Sequence, residues 1–312
     1  MIIQKNVPLK DYSNYKIGGP ARYFLKVSDV KQLKEGLLEW RKINKDNKPA
    51  FVLGSGTKIL INDDGYDGLV IYNSISGIEK NGELLRVGAG VLASDLLKYC
   101  LDNSLIGFEW AGGLPGTIGG AVRGNAGAFG GETKDNLIKV KSININSLEE
   151  KTRENIDCIF GYRDSIFKSG EAKNEIITDA TFLFKKGDKN EIARIIEEKI
   201  NHRKKGHPLE YPSIGSTFKN VPIEKIPGKL RKEFGGKIKY NPIPVLSAAR
   251  FINLAGLKGE RIGNAQFSEK NPNFIVNLGN AKEKDVKALI NLAKAKVKEN
   301  FNVDLEEEII YL

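Results

Sequence analysis

Two glycine-rich stretches carry the residues best suited to hold a charged ligand. Leu53 leads into Gly54-Ser55-Gly56-Thr57-Lys58. Residues 107–131 hold ten glycines in 25 positions, with only Glu109 and Arg123 charged. Without a Cβ, backbone can approach a ligand closely and adopt positive φ. Successive N–H groups can then converge on phosphate oxygens. Pro115-Gly116-Thr117-Ile118-Gly119-Gly120 adds a hydroxyl and no carboxylate. It reads equally as a cradle for a pyrophosphate or as a tight turn packed on a sheet. Gly88-Ala89-Gly90-Val91-Leu92-Ala93 fits a relaxed dinucleotide fingerprint, but neither a β-α-β array nor a clear acidic partner accompanies it. No Walker sequence occurs, which argues against a P-loop nucleotidase.

Other chemistries are poorly supplied. The two histidines, His202 and His207, cannot form H-E-x-x-H, and a Ser-His-Asp triad would have to use one of them. Cys100 and Cys158 have no metal or redox spacing. They read as reduced, buried thiols, and no metal site is expected. The net charge of +10 favours anionic partners. The lysines are dispersed, Arg203-Lys204-Lys205 being the tightest basic cluster. No nucleic-acid-binding motif accompanies them, so no nucleic-acid partner is expected. No apolar run approaches the roughly 18–20 residues of a membrane span. The N-terminus lacks a secretory pattern. A cytoplasmic protein with no membrane insertion is expected.

The elements that must position these loops are partly legible. Strands are expected near residues 21–27, 51–53, 69–72, 84–87, 140–145, 176–184 and 274–276. Helices are expected near 29–42, 93–103, 191–202, 247–255 and 283–301, the first with Ser28 as N-cap. The glycine-rich stretch carries Phe108, Trp110, Leu114, Ile118, Val122 and Phe129, so it is expected to be packed. Residues 202–211, basic and then proline-flanked, read as a linker and domain boundary.

Several ordered motifs resemble one family. Gly54-Ser55-Gly56-Thr57 resembles the first phosphate loop of the vanillyl-alcohol-oxidase-like (PCMH-type) FAD-binding fold. Residues 111–121, with Gly124-Asn125-Ala126-Gly127-Ala128, are similar to its second loop as found in the UDP-N-acetylenolpyruvoylglucosamine reductase, or MurB, family. Gly161-Tyr162-Arg163-Asp164-Ser165, Gly215-Ser216-Thr217-Phe218-Lys219-Asn220, Ala255-Gly256-Leu257-Lys258-Gly259, Asn273-Phe274-Ile275-Val276-Asn277 and Leu305-Glu306-Glu307-Glu308-Ile309 extend the likeness to the C-terminus. The resemblance implies an α+β protein. An FAD-binding module spans 1–202, with subdomains of about 1–72 and 73–202. A substrate domain spans 203–312, its last residues returning to the active site.

The resemblance also implies NADPH as co-substrate and non-covalent FAD, since no histidine or cysteine lies in the flavin loops. FAD then reduces UDP-N-acetylglucosamine enolpyruvate to UDP-N-acetylmuramate, a peptidoglycan precursor. It maps the catalytic residues to Arg163, Ser216 and Glu308. The cofactor residues map to Gly54, Ser55, Gly56, Thr57, Lys58, Pro115, Gly116, Thr117, Ile118, Gly119, Gly120, Asn125, Ala126 and Gly127. Tyr162, Lys219 and Asn220 are the substrate candidates, and a monomer is expected.

The residue types suit the chemistry. Hydride addition to an enol ether conjugated to a carboxylate develops negative charge toward that carboxylate, and a placed guanidinium stabilises it. The enolate is basic enough for a serine hydroxyl to protonate it. A neutral glutamic acid at 308 could hydrogen-bond the enolate. The 53-residue spacing from Arg163 to Ser216 resembles the subtype lacking a tyrosine loop over the substrate. Ile310 stands where the family often has arginine, and Asn271-Pro272 where it often has His-Ala. Residues 221–246 read as an insertion, most simply a surface excursion.

Overall fold

The computed structural model describes residues 3–240 and 243–312. The chain divides into two compact units. One holds the chain up to Val7, Ala21–Ser55 and Asp67–His202; the other holds Pro8–Pro20, Gly56–Tyr66 and Arg203–Leu312. Two early segments thus belong with the C-terminal part of the sequence.

The first unit contains two sheets. A four-stranded sheet runs in the order Gln4–Pro8, Pro20–Val27, Tyr66–Asn73, Ala50–Leu53. Its last two strands are parallel, and helix Val30–Ile43 connects Pro20–Val27 to Ala50–Leu53 along the chain. That helix buries Leu33, Leu37 and Trp40, the i, i+4, i+7 pattern of one apolar stripe. Its N-cap is Asp29, which accepts from Gln32 N at 2.8 Å. Ser28, the expected cap, instead donates from both its N–H and its hydroxyl to Gln32 Oε1.

The second sheet runs Glu150–Glu154, Leu137–Asn144, Glu175–Leu183, Leu84–Gly88, Ile78–Asn81, with every neighbouring pair antiparallel. This arrangement disposes of the dinucleotide fingerprint at residues 88–93. No parallel β-α-β unit exists there. Its carbonyls are engaged as well: Val91 and Ala89 accept from Ile118 and Gly119 N–H at 2.8 Å each.

In the second unit, helices Ala248–Leu254 and Glu283–Phe301 contribute to a core that includes Phe218, Phe251, Phe267, Leu289 and Ile290. A three-stranded antiparallel sheet, Arg261–Ile262, Ala265–Phe267 and Ile275–Asn277, accompanies them. Tyr15 explains why Pro8–Pro20 belongs here: its hydroxyl donates to Ile275 O and its carbonyl accepts from Asn277 Nδ2, both at 2.9 Å.

Two expectations need correction. Helix Lys189–Gly206 runs through the supposed start of the linker, so Arg203-Lys204-Lys205 is its last turn. Cations there complement the helix dipole. The insertion is also more than a surface excursion. Val221–Pro222, Pro244–Leu246 and Lys239–Tyr240 form a small antiparallel sheet, and Val221, Ile226, Phe234 and Leu246 are buried in the core; Asn241 and Pro242 lie outside the described residues.

One ion pair, between half-buried Arg153 and buried Glu175, ties three strands of the five-stranded sheet. Arg153 donates to Glu175 through Nη2 (2.8 Å) and Nη1 (2.5 Å), and Ser142 Oγ donates to the same carboxylate at 2.6 Å. Burial pushes the Glu175 carboxyl up, but hydrogen bonds from Arg153 and Ser142 outweigh it and hold it below its ordinary value. The folded value lies below the unfolded one, so the stabilisation is complete above the unfolded value of about 4.3. It is lost as pH falls through the folded value. Melting temperature should therefore drop more steeply below about pH 4.3 in the wild type than in Glu175→Gln. At neutral pH, Arg153→Met strands the carboxylate and should cost roughly 3 kcal/mol by urea titration.

Candidate active site

The glycine loops of the first unit are built from backbone that has no room for side chains. A Cβ on Gly54 would lie 2.7 Å from Thr117 Oγ1. That hydroxyl accepts from Gly120 N at 3.3 Å, capping helix Ile118–Arg123. Gly116 has φ +126°, a conformation that side chains rarely adopt. The N–H groups of Ile118 and Gly119, expected to face a ligand, are spent on residues 91 and 89. Among the described residues, the N–H groups of Gly116 and Thr117 have no carbonyl partner. The Ser55 hydroxyl is buried and likewise lacks a partner among them. Unspent donors beside Cβ-free backbone fit the chemistry of the FAD pyrophosphate.

The segment after this helix is latched to the Arg163 loop. Asn125 is wholly buried at φ +41°; its Nδ2 donates to Gly161 O (3.0 Å) and its Oδ1 accepts from Lys134 N (3.2 Å). Ser165 Oγ donates to Arg123 O at 2.7 Å. Arg163 itself has φ +58°, a non-glycine strain of roughly 1–3 kcal/mol. Its Nη2 donates to Gly127 O at 2.5 Å, its Nη1 lies 3.8 Å from Glu132 Oε1, and the Tyr162 ring centroid is 5.0 Å from its Cζ. Lys168 Nζ donates to Arg163 O at 2.6 Å. Asn125 is thus a brace through its side chain. Glu132 and Lys168 carry no sequence signal that would have singled them out.

In the second unit, Ser216 and Glu308 are brought together by backbone pairing. Glu308 N donates to Thr217 O, and Lys219 N to Glu306 O, at 2.8 Å each. Ser216 forms an antiparallel bridge with Phe274, and Thr217 N donates to Asn273 O at 2.7 Å. Asn273 closes a two-way clamp on Phe218: Nδ2 donates to its carbonyl and Oδ1 accepts from its N–H. The Asn271 carbonyl accepts from Phe274 N at 2.9 Å, so the Asn271-Pro272 departure forms a closed turn. Ile310 N donates to Lys58 O, and Ile310–Tyr311 pairs in parallel with Ile59–Leu60.

The acidic run is not a shared pool of charge. Glu306 pairs with Lys219 (2.5 Å) and Lys225 (3.8 Å), Glu307 with Lys294 (2.9 Å), and Glu308 with Lys58 (3.4 Å). Lys219, a substrate candidate, is therefore ion-paired in this arrangement. The Asn220 side chain accepts from Ala248 N at 3.3 Å. Among the described residues no cluster of His, Cys, Asp and Glu could hold a metal, and no helix is long and apolar enough to cross a membrane.

Residues 23–147 match the FAD binding domain family, and residues 207–312 match the family described as UDP-N-acetylenolpyruvoylglucosamine reductase, C-terminal domain. The chain is 38% identical to the UDP-N-acetylenolpyruvoylglucosamine reductase of Fervidobacterium nodosum, over 97% of its own length and 90% of that protein. It belongs to the UDP-N-acetylenolpyruvoylglucosamine reductase family. The reductase of Lachnoclostridium phytofermentans is also 38% identical, over 97% of this chain and 91% of that protein. The crystal structure of the MurB reductase from Thermus caldophilus superposes with a TM-score of 0.76 at 32% identity, covering 99% of both chains.

Within this reductase family member, the Gly54 contact yields a direct test. Gly54→Ala should displace the Thr117 cap, at a cost of about 1 kcal/mol, and lower the FAD retained per protein after gel filtration. Full flavin content in the variant would remove Gly54 from the cradle.

Proposed function

We propose that this chain catalyses the NADPH-dependent, FAD-mediated reduction of UDP-N-acetylglucosamine enolpyruvate to UDP-N-acetylmuramate. The observation that carries the reading is the near-full-length agreement with the reductase family, which spans both glycine loops and the paired segments holding Ser216 and Glu308. FAD, when bound, supplies the hydride chemistry, accepting from NADPH and delivering to the enolpyruvyl β-carbon.

The protein's share is binding, charge and a proton. Gly54, Ser55, Gly56, Thr57, residues 115–120 and residues 125–127 hold the cofactor. Arg163, already fixed by Gly127 O and Glu132, faces the substrate carboxylate and stabilises the enolate as it develops. Tyr162 lies against that guanidinium and lines the substrate's path. The Ser216 hydroxyl gives its proton to the α-carbon. Glu308 hydrogen-bonds the enolate when protonated. Lys219 exchanges Glu306 for the substrate diphosphate, and Asn220 contacts the sugar's polar groups. The enzyme is read as a monomer. Two free cysteines, both buried, accord with a reducing cytoplasmic setting.

The half-reactions separate these roles. Ser216→Ala should accept electrons from NADPH at near the wild-type rate. Its reoxidation by the enolpyruvyl sugar, followed anaerobically in the flavin absorbance, should be slow. Equal loss in both halves would make Ser216 structural. Arg163→Ala should slow the second half by on the order of 10²-fold or more. Acid precipitation should release the flavin into the supernatant; colour remaining in the pellet would mean covalent attachment.

A further inference from the structure

We propose that Lys58 is a positioning residue for the reduction, its ammonium holding the Ser216 backbone and the Glu308 carboxylate in one arrangement. The inference rests on the catalytic roles proposed for those two residues. Sequence alone places Lys58 at the end of a phosphate loop, where an ammonium would be expected to meet the cofactor. The structure gives that ammonium other partners. Lys58 Nζ donates to Ser216 O at 2.7 Å and lies 3.4 Å from Glu308 Oε2.

An ammonium has three donors and no acceptor, so it can serve a carbonyl and a carboxylate together. The main chain of Lys58 is itself anchored, because Lys58 O accepts from Ile310 N at 2.8 Å, two residues beyond Glu308. Lys58 therefore meets the C-terminal segment with its main chain and its side chain alike. The turn it steadies needs outside support. Gly215 has φ +79° and no side chain of its own to pack. A Cβ there would lie 3.6 Å from Lys58 Nζ, which places the ammonium directly against the turn. The side chains of Lys58 and Glu308 are 33% and 17% exposed, so this pair is screened less than a fully exposed one.

The consequence is specific to proton delivery. With the ammonium gone, Ser216 O loses a charge-assisted hydrogen bond and the Glu308 carboxyl loses the donor beside its Oε2, an oxygen that can accept from the ammonium whether or not the group is protonated. The serine hydroxyl and the carboxyl would then sample several positions around the substrate, while cofactor binding stays as it was.

The test uses holoenzyme carrying Lys58→Met, with Lys58→Arg as the charge-conserving control and Ser216→Ala alongside. FAD affinity and the rate of reduction by NADPH should stay within about threefold of wild type. At saturating UDP-N-acetylglucosamine enolpyruvate, the reoxidation rate constant of Lys58→Met should fall on the order of 10- to 100-fold. Half-saturation should move by less than about threefold, and the solvent isotope effect on reoxidation should rise. Lys58→Arg should recover part of the rate. Should Lys58→Met fail to fold, Lys58→Gln, which keeps a donor without the charge, takes its place.

A drop of tenfold or more in FAD affinity, with normal reoxidation per bound flavin, would make Lys58 a cofactor ligand and overturn the proposal. Higher half-saturation with an unchanged rate constant would make it a substrate ligand, with the same result. Slow Ser216→Ala beside normal Lys58→Met would sink the lysine's role alone. Normal reoxidation in Ser216→Ala would sink the underlying reading and this one with it.

Discussion

Backbone hydrogen bonds hold the last segment of the chain on two sides. Lys219 and Thr217 pair with Glu306 and Glu308 on one side, and Lys58 and Leu60 pair with Ile310 and Leu312 on the other. The arrangement of Ser216, Glu308 and Lys58 in the second unit depends on this. The segments involved are far apart in sequence, but loop-closure entropy grows only slowly with length. Burial of Val303, Leu305 and Ile309 in the core helps offset that cost. Once Ile309 is buried, the next residue to one side is Glu308, and the alternation of an extended chain determines which neighbours it can meet.

This pairing also explains how three consecutive glutamates can sit on one short segment. In extended chain, successive side chains point to opposite faces, so Glu307 faces away from Glu306 and Glu308. Each has a lysine from a different part of the unit: Lys219 after the serine turn, Lys294 on the long helix, Lys58 after the first glycine loop. Tyr311 adds a hydrogen bond to Glu307 from four residues along the chain. Glu308 is the member whose partner also touches Ser216, which distinguishes it from its two neighbours.

The first unit uses a different device for the same purpose. Its glycine loop is rigid because most of its polar groups are already spent within the unit, leaving only a few donors for a ligand. Asn125 and Ser165 cross-brace residues 123–127 and 161–165, and that brace sustains the strained backbone of Arg163. Strain of this kind persists only where surrounding hydrogen bonds over-determine the conformation. The cost is met by the buried Asn125 amide, which both donates and accepts, and by the Ser165 hydroxyl, which together leave few alternatives of comparable energy.

The amino-acid sequence by itself determined the local elements and the family. The apolar periodicity of Val30–Ile43 and Glu283–Phe301 and the β-branched runs near residues 69–72 and 176–184 are readable because burial imposes a period on each. The glycine motifs are readable because only glycine fits where a Cβ would strike Thr117 Oγ1 or where φ reaches +126°. Local chemistry was less secure: Asp29 took the cap expected of Ser28, since both precede the same helix and either side chain can accept. Tertiary structure alone decided which unit owns Pro8–Pro20 and Gly56–Tyr66, how the insertion is tied to the core, and what Lys58, Asn125 and Glu132 do. Those are contacts between segments remote in sequence. A residue's type limits what it can donate or accept, but its partner is set by where the other segments pack.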